Sequence, residues 1–474
     1  MVAKDSIFRE YDIRGTVGID FDADLAYFLG RALAKKIRAA SGAESDSKKA
    51  SSLKVAVGYD CRLSADELRH ALMSGLRVGG VSVIDTGMGP TPQLYYAVNS
   101  RKLAGGIMVT ASHNPGEQNG FKMMVGLSTL SGKDIQELQQ LVRCFEELGE
   151  STAPQPPADC TIETIDMREA YLQELIARSK GHMGSRRLKV VVDGGNGVGG
   201  LIGPDLLRGL GCEVIEIFTD PDGRFPNHHP DPTVLENIVD LRKRVVLEKA
   251  DLGIAWDGDA DRIGVVDEVG NPIFGDMLVV LYGRQLLKEV AKPTIIGDVK
   301  CSELMFSDLE KKGATTVMSK TGHSLIKAKL KELHAELAGE MSGHIFFAHR
   351  YYGFDDAMHA SARLVEIVSS TNIPVSHLLA DLPKMVNTPE IRVDCPDNIK
   401  FAVAESAKTA FPEFKTSTLD GVRIAFKDGW GLVRASNTQP ALVMRFEAET
   451  PGLLAEYQKL VEERICVLRS AMES

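Results

Sequence analysis

Three aspartates at alternate positions are the strongest candidates for chemistry in this chain. Asp257, Asp259 and Asp261 lie in the segment WDGDADR, and alternate side chains of an extended backbone point to the same side. Three converging carboxylates repel one another unless a cation lies between them, and oxygen ligands suit Mg²⁺ or Ca²⁺. An EF-hand loop begins similarly, but its sixth position needs glycine, and here that residue is Arg262. The segment therefore predicts a divalent-cation site, with a solvated acidic turn as the alternative.

A serine and a histidine stand side by side in VTASHNP, residues 109–115. Ser112 is either a reactive hydroxyl or a capping residue of the Asn-Pro turn that follows it. The adjacent His113 suggests a protease-like pair, but a neighbour in sequence seldom presents its ring to the preceding hydroxyl. The sequence leaves the two interpretations of Ser112 open.

Two further segments concentrate groups that recognise sugars and phosphates. GEMSGH, residues 339–344, combines the Glu340 carboxylate, the Ser342 hydroxyl and the His344 imidazole, a set suited to sugar hydroxyls and proton transfer. RASNTQP, residues 434–440, offers four groups that can donate to phosphate oxygens. These are Arg434, Ser436, Asn437 and Thr438. Ordinary loops with satisfied polar groups are the alternative for both segments.

A glycine-rich segment provides a competing hypothesis. Gly195, Gly197 and Gly200 of GGNGVGG fit the pattern G-x-G-x-x-G after the strand-like run VVVD, and Glu216 follows at a suitable interval. The pattern is typical of dinucleotide binding, but it also occurs where a helix packs tightly on a strand. Both interpretations are kept.

Repeated strand-helix-strand patterns must position these groups. Short β-branched runs at 53–60, 188–197 and 294–299 each precede an amphipathic helix-length segment and another apolar run. They predict three similar α/β domains with mixed sheets. From about residue 370 the order strand, helix, three strands, helix predicts a C-terminal α+β domain with an antiparallel sheet. Proline-rich and polar segments divide the chain at 1–151, 152–252, 253–369 and 370–474.

Composition restricts the classes of partner. The 474 residues carry a net charge of −10, which disfavours nucleic acid and anionic membranes as partners. No apolar run reaches the length of a membrane span, and the N-terminal segment lacks the apolar stretch of a signal peptide. Seven scattered cysteines without a C-x-x-C pair argue against a disulfide framework. We expect a cytoplasmic protein, either a monomer or a weak dimer, that acts on small molecules.

Five segments together resemble one known family. FREYDIRG, TASHNP, DGDADR, GEMSGH and RASNTQP have the order and intervals of the α-D-phosphohexomutases, and they are most similar to the bacterial phosphomannomutase/phosphoglucomutase group. The resemblance covers essentially the full length. It implies four domains around a central cleft.

The resemblance also implies a mechanism. Ser112 would carry a phosphoryl group, transfer it to a sugar monophosphate, and recover the other phosphoryl group from a hexose 1,6-bisphosphate intermediate. Mg²⁺ would be held by Asp257, Asp259, Asp261 and the phosphorylated Ser112. The reaction would interconvert hexose 1-phosphates and hexose 6-phosphates.

The resemblance assigns roles to further residues. His113, Arg262 and Lys122 would lie beside the transferred group, while Lys122, Arg14 and His344 are the candidates for proton transfer, with their roles undivided. The implied substrate-binding residues are Tyr11, Lys300, His323, Glu340, Ser342, Arg434, Ser436, Asn437 and Thr438. Glu340 and Ser342 would bind sugar hydroxyls, and the last four would hold the phosphate that does not react.

Two departures from the family pattern leave every predicted reacting group in place. Ala260 replaces the second glycine of the common DGDGDR and restricts the backbone, and Gln439 precedes Pro440 where an acidic or small residue is frequent. GEMSGH indicates hexoses with a free 2-hydroxyl, so glucose and mannose phosphates are both candidates. The alternatives are a metal-dependent sugar phosphatase that uses the same serine, and a nucleotide- or sugar-binding protein without turnover.

Overall fold

The structure is a computed structural model that describes residues 3–147, 155–436 and 440–473. The chain separates into two compact units. The first unit comprises Met1–Gly275 with Ser342–Leu378, and the second comprises Asp276–Met341 with Leu379–Ser474. None of the helices within the described ranges is long and apolar enough to cross a membrane. All seven cysteines lie in these ranges, and each is a free thiol.

The first sheet is mixed and carries the serine segment. Its strands are β1 (Ile13–Thr16), β2 (Lys54–Tyr59), β3 (Ser82–Met88), β4 (Gly105–Val109), β5 (Gln118–Val125), β6 (Ser128–Thr129) and β7 (Ile162–Thr164). The order is β1-β5-β4-β2-β3-β7, with β6 beside β5. Strands β4, β2, β3 and β7 are parallel, whereas β5 is antiparallel to β1 and β4. Its helices are α1 (Ala23–Ala40), α2 (Ser47–Ser52), α3 (Ala65–Val78), α4 (Thr91–Arg101) and α5 (Lys133–Glu147).

The second sheet, also in the first unit, carries the aspartate segment. Its strands are β8 (Lys189–Asp193), β9 (Glu213–Ile217), β10 (Leu252–Trp256), β11 (Ile263–Asp267) and β12 (Pro272–Ile273). The order is β12-β11-β10-β8-β9, and the associated helices are α6 (Arg168–Lys180), α7 (Gly203–Gly209) and α8 (Val239–Glu248). The predicted division between residues 252 and 253 is therefore wrong. β10 pairs in parallel with β8 and antiparallel with β11, so the sheet continues through the aspartate loop.

The third α/β segment begins with α9 (Gly275–Leu286). It contains α10 (Glu303–Lys311), α11 (His323–Leu333) and the strands β13 (Thr294–Asp298), β14 (Thr315–Ser319) and β15 (Leu337–Gly339). β13 lies between β14 and β15 and is parallel to both.

The next two elements lie within the predicted third domain and fall in the part of the chain that clusters with the first unit. They are β16 (Ile345–Phe347) and α12 (Ala357–Ser369). α12 packs against α6 and α7, and the indole Nε1 of Trp256 donates to Ser361 Oγ at 3.0 Å. α12 therefore buries an apolar face against α6 and α7.

The C-terminal segment has the antiparallel sheet that was predicted. Its strands are β17 (Val386–Asn387), β18 (Ile391–Asp394), β19 (Lys415–Ser417), β20 (Val422–Phe426), β21 (Gly429–Ala435) and β22 (Ala441–Ala448). The helices are α13 (Lys400–Ala407) and α14 (Pro451–Glu473). All ladders in this sheet are antiparallel, which confirms the α+β prediction. The short strands β17 and β19 were not predicted.

Candidate active site

The loop between β10 and β11 carries three of the four predicted metal ligands, and we call residues 257–262 the metal loop. The side chains of Asp257, Asp259 and Asp261 are all fully buried. Oδ1 of Asp257 accepts from the backbone N–H groups of Asp261 at 3.1 Å and Arg262 at 3.0 Å, which closes the loop. Ala260 adopts a φ of +57°, a left-handed conformation that costs a non-glycine residue about 1–2 kcal/mol.

The three carboxylates suit a hard divalent cation. One oxygen from each lies within 4.8 Å of the others, and Asp259 Oδ1 is buried without a hydrogen-bond partner among the residues that the structure describes. Burial, together with the charges of Asp259 and Asp261, raises the pKa of Asp257 well above its usual range. Oxygen-only ligands, one of them without a partner, are the environment that Mg²⁺ or Ca²⁺ would complete.

Lys122 on β5 neutralises part of the negative charge of these carboxylates. Its Nζ donates to Oδ2 of Asp259 at 2.6 Å and to Oδ2 of Asp261 at 2.5 Å. Burial lowers the pKa of Lys122, but the adjacent carboxylates outweigh burial and leave that pKa raised. Thr91, at the start of α4, donates its hydroxyl to the same Asp259 oxygen at 2.5 Å. Sequence reasoning missed Thr91, because a single threonine at a helix start carries no chemical signature.

Ser112 forms a hydrogen bond with the metal loop. We call residues 110–117, which connect β4 to β5, the serine loop. Ser112 has a φ of +53° and its side chain is buried. The Ser112 hydroxyl donates to Asp257 Oδ2 at 2.6 Å. The His113 Nδ1 lies 3.1 Å from the same hydroxyl, contrary to the expectation that neighbours would not face each other. The left-handed turn at Ser112 brings the ring and the hydroxyl together.

Three more of the predicted catalytic residues surround this serine. Arg14 on β1 donates to Asn114 Oδ1 at 3.1 Å and to the carbonyl of Ala111 at 3.3 Å, beside Ser112. Nε of Arg262 donates to His344 Nε2 at 3.2 Å. The same His344 nitrogen lies 3.2 Å from Asp261 Oδ1. The six predicted catalytic residues and the three predicted aspartate ligands thus form one cluster in the first unit, the reaction cluster.

The electrostatic environment of His113 favours its neutral form. The ring keeps partial exposure, but dense protein surroundings remove it from bulk water. This desolvation and the positive charges of Arg262 and Arg14 hold the pKa of His113 well below its usual range. A neutral imidazole can donate through one nitrogen and accept through the other.

The glycine-rich segment packs behind the metal loop. The N–H of Val198 donates to the Gly258 carbonyl at 3.1 Å. A Cβ at Gly197 would lie 2.7 Å from that same oxygen, so glycine is needed for the approach. Residues 194–199 are buried. The segment therefore does not present an open phosphate cradle, which removes the basis for the dinucleotide-binding hypothesis.

A second cluster of predicted residues lies in the second unit, and we call it the recognition cluster. Lys300 Nζ donates to Glu390 Oε2 at 3.2 Å, and Nε of Arg434 donates to Asp420 Oδ2 at 2.9 Å. Lys300 lowers the pKa of Glu390 to about 2. Each of these cations is thus paired with a carboxylate.

Hydrogen bonds through the segment 320–323 join the remaining members of the recognition cluster. The Thr321 N–H donates to Asp420 at 3.1 Å, and its hydroxyl donates to Asp298 Oδ2 at 2.9 Å. The N–H of Gly322 donates to Glu340 Oε1 at 2.8 Å. His323 begins α11, with its Nδ1 3.3 Å from Lys327 Nζ.

Two arginines that sequence reasoning missed hold the Lys300 segment. Arg423 on β20 donates to the carbonyls of Val299 at 2.6 Å and Cys301 at 2.9 Å. Arg445 on β22 donates to the Lys300 carbonyl and to Asp276. Both arginines are buried. Their strands were predicted, but nothing in the sequence indicates what the side chains contact.

The hydrogen bonds described for the recognition cluster do not include the predicted substrate-binding residues Tyr11, Ser342 and Ser436. Tyr11 is half-buried in the turn before β1. Ser342 Oγ lies 3.5 Å from His344 Nδ1. Ser436 is buried just after β21. Asn437 and Thr438 lie outside the described residues, as does Gln439.

Four family models match almost the whole chain. The three phosphoglucomutase/phosphomannomutase alpha/beta/alpha domains, I, II and III, match residues 5–145, 169–270 and 274–386. The C-terminal domain of the same family matches residues 390–464. The match to domain II includes the metal loop, in agreement with its place in the second sheet.

Individual relatives agree with these matches. The chain is 43% identical to a phosphomannomutase/phosphoglucomutase of Pseudomonas aeruginosa over 98% of this chain and 97% of the relative. It is 42% identical to a phosphoglucomutase of Neisseria gonorrhoeae over 95% of each chain. A crystal structure of a phosphoglucomutase/phosphomannomutase family protein from Burkholderia thailandensis superposes with a TM-score of 0.87, at 39% identity and 98% coverage of both chains. The chain therefore belongs to the phosphoglucomutase/phosphomannomutase family and is a mutase enzyme of the phosphotransferase type.

Proposed function

We propose that this protein interconverts hexose 1-phosphates and hexose 6-phosphates of glucose, mannose or both, through a phosphoserine at Ser112. The observation that carries the proposal is the 2.6 Å contact of the Ser112 hydroxyl with Asp257, inside a buried array of three carboxylates and Lys122. The names of the relatives from Pseudomonas and Neisseria support mannose and glucose phosphates as substrates.

The proposed cycle contains two phosphoryl transfers. In the first, the bond between Ser112 Oγ and phosphorus breaks, a sugar hydroxyl bonds to phosphorus, and the proton of that hydroxyl passes to a basic group. The serine oxygen regains a proton, which leaves a hexose 1,6-bisphosphate. The bisphosphate then reverses its orientation, the bond between its other phosphorus and the sugar oxygen breaks, and Ser112 Oγ bonds to that phosphorus. The serine loses its proton and the sugar oxygen gains one, so that the net reaction is an isomerisation.

Residues of the reaction cluster supply charge, position and protons. Lys122 and Arg262 would neutralise charge on the transferred group, and His113 would flank the phosphoserine. Proton transfer is proposed for Lys122, Arg14 and His344 as a group. Asp257, Asp259 and Asp261 would hold Mg²⁺, which when bound supplies a positive charge to the phosphoserine oxygens.

The residues predicted to bind substrate would contact its sugar hydroxyls and its second phosphate. Glu340 and Ser342 are proposed to accept hydrogen bonds from sugar hydroxyls, with Tyr11, Lys300 and His323 as further contacts. The phosphate that does not react would be bound by Arg434, Ser436, Asn437 and Thr438, which combine charge with several donors. The seven free thiols support a reducing compartment, so we propose a cytoplasmic enzyme, a monomer or weak dimer.

The decisive experiment compares wild type, Ser112→Ala and the exposed-site control Ser128→Ala. Glucose 1-phosphate and mannose 1-phosphate are assayed separately with Mg²⁺ and a trace of glucose 1,6-bisphosphate. We expect 6-phosphate formation by wild type and control, and loss of at least about 10³-fold with Ser112→Ala. Wild-type turnover by Ser112→Ala would contradict the proposal. Inorganic phosphate released in step with substrate loss would support the phosphatase alternative.

A further inference from the structure

Arg62 lies behind the serine loop and does not belong to any motif identified in the sequence. It follows β2, and its side chain is fully buried, beside the nearly fully buried side chain of Asp60. Its Nε donates to Asp60 Oδ2 at 3.1 Å. The guanidinium is thus an internal cation with one carboxylate partner.

The remaining guanidinium N–H groups all donate to the serine loop and its end. Nη2 donates to the carbonyls of Ser112 at 2.8 Å and Asn114 at 2.5 Å. Nη1 donates to the carbonyls of Pro115 at 2.5 Å and Gln118 at 2.8 Å. A guanidinium has five N–H donors, and here five bonds use them. The planar fork therefore fixes four carbonyls of one turn around a single centre.

A second path connects Asp60 to the backbone of the serine. The Thr110 hydroxyl donates to Asp60 Oδ2 at 2.6 Å. The N–H of Ser112 in turn donates to the Thr110 hydroxyl at 2.9 Å. Both the N–H and the C=O of Ser112 are consequently held by the same buried network.

This network acts on a residue whose backbone is unfavourable by itself. Ser112 has the left-handed φ of +53°, and such conformations persist only where the surroundings determine them. That conformation brings the hydroxyl to Asp257 at 2.6 Å. Arg62 touches the backbone of Ser112 but not its hydroxyl, so its effect on the reaction must be indirect.

We propose that Arg62 is a positioning residue for phosphoryl transfer: its guanidinium clamps the serine loop so that the Ser112 oxygen faces the metal loop. The inference rests on the proposed function of Ser112. Lysine at position 62 would keep the charge beside Asp60 but would lose the planar five-donor fork. The serine loop would then relax while the sugar-binding residues stay in place.

The test compares wild type, Arg62→Lys and Arg69→Lys. Arg69 is a suitable control because it pairs with Asp66 and Asp85 on the same part of the chain. Each protein is phosphorylated with excess glucose 1,6-bisphosphate, and Ser112 occupancy is read by intact mass. Single-turnover transfer to glucose 1-phosphate, steady-state kcat and KM, and thermal unfolding are then measured.

We expect Arg62→Lys to lower the single-turnover rate and kcat by about 100-fold, since small misplacement of a reacting group has effects of this size. KM should stay within about threefold, because substrate binding does not depend on the serine loop. A folded Arg62→Lys protein that transfers at the wild-type rate would overturn the proposal. So would a rise in KM without a fall in kcat.

A second pair keeps the test decisive if Arg62→Lys does not fold. Thr110→Val removes the acceptor of the Ser112 N–H, whereas Thr110→Ser keeps it. We expect slow transfer with Thr110→Val and nearly wild-type transfer with Thr110→Ser, and equal rates would overturn the clamp. Failure of the proposed function is distinguishable, because wild-type Ser112 would then acquire no phosphoryl group at all.

Discussion

The reaction cluster and the recognition cluster differ in how their buried carboxylates are paired with cations. In the first, one ammonium, that of Lys122, lies between Asp259 and Asp261, and the pKa of Asp257 is raised by burial and by its acidic neighbours. In the second, Lys300 has its own carboxylate partner, and the pKa of Glu390 is lowered to about 2. Surplus negative charge calls for a cation, whereas paired charges keep long side chains oriented. The difference suits the first cluster to reaction and the second to binding.

Replacement of Lys122 should give the largest effect. Lys122→Met removes the cation between Asp259 and Asp261, so we expect kcat to fall about 10³-fold, or about 4 kcal/mol, with little change in KM. Lys133→Met, at an exposed lysine, should behave like wild type. A rise in KM alone would place Lys122 with the recognition residues and would break the comparison.

Metal binding should distinguish the clusters next. At 100 times its dissociation constant, Mg²⁺ should stabilise the wild-type protein by about 2.7 kcal/mol. Asp259→Asn should abolish this gain, because it changes the ligand whose Oδ1 has no hydrogen-bond partner in the described part of the chain, while Arg434→Gln should retain it. Calorimetric titration and thermal unfolding with and without chelator measure the difference. Equal Mg²⁺ binding by both variants would contradict the assignment of the metal loop.

The recognition cluster should show its role in KM. Arg434→Gln removes a buried cation proposed to hold phosphate, so we expect KM to rise about 10- to 30-fold and kcat to change less than about threefold. Steady-state kinetics with both sugar phosphates measure the split. If kcat fell and KM stayed constant, Arg434 would belong to the reaction instead.

The Lys300–Glu390 pair should appear in the pH dependence of stability. The pKa of Glu390 is about 2 in the folded protein against an ordinary 4.5, so its contribution is present above pH 4.5 and lost as the pH falls toward 2. We expect Glu390→Gln to cost about 1–2 kcal/mol at pH 7 and much less near pH 3. Denaturant unfolding at the two pH values measures this. A constant cost would show that the pairing contributes nothing.

The smallest effect is expected at Ala260. Ala260→Gly removes the strain of a left-handed alanine but gives the unfolded chain more freedom, so the net stabilisation should be at most about 1 kcal/mol. Activity should be retained because all three aspartates remain. Denaturant unfolding and kcat measure the two quantities, and a loss of activity would show that the methyl group shapes the metal loop.

Local patterns predicted most of the elements and pointed to residues that the structure places near one another. Asp257 and Ser112 were identified from short segments and Lys122 from the family resemblance; Ser112 contacts Asp257, and Lys122 contacts Asp261. The order strand, helix, three strands, helix likewise predicted the antiparallel C-terminal sheet. These signals lie within a few neighbouring positions, where backbone geometry dictates which side chains share a face.

Long-range contacts were not predictable in the same way. Arg62 acts on carbonyls about fifty positions away in the chain, and Thr91 contacts an aspartate 168 positions later. The division at residue 253 was wrong because a strand before a hairpin looks the same whichever sheet it joins. Pairing partners, not local propensity, decide such cases.

The stacking of three backbones behind the serine has a wider consequence. A Cβ at Gly258 would lie 2.3 Å from the Ser112 carbonyl oxygen, and one at Gly197 would lie 2.7 Å from the Gly258 carbonyl oxygen. The distance between Ser112 and Asp257 therefore depends on direct backbone packing of Gly258 against Ser112. A side chain at position 197 or 258 would have no room between these backbones. Replacement of Gly197 or Gly258 would therefore force the metal loop and its neighbouring backbone segments apart.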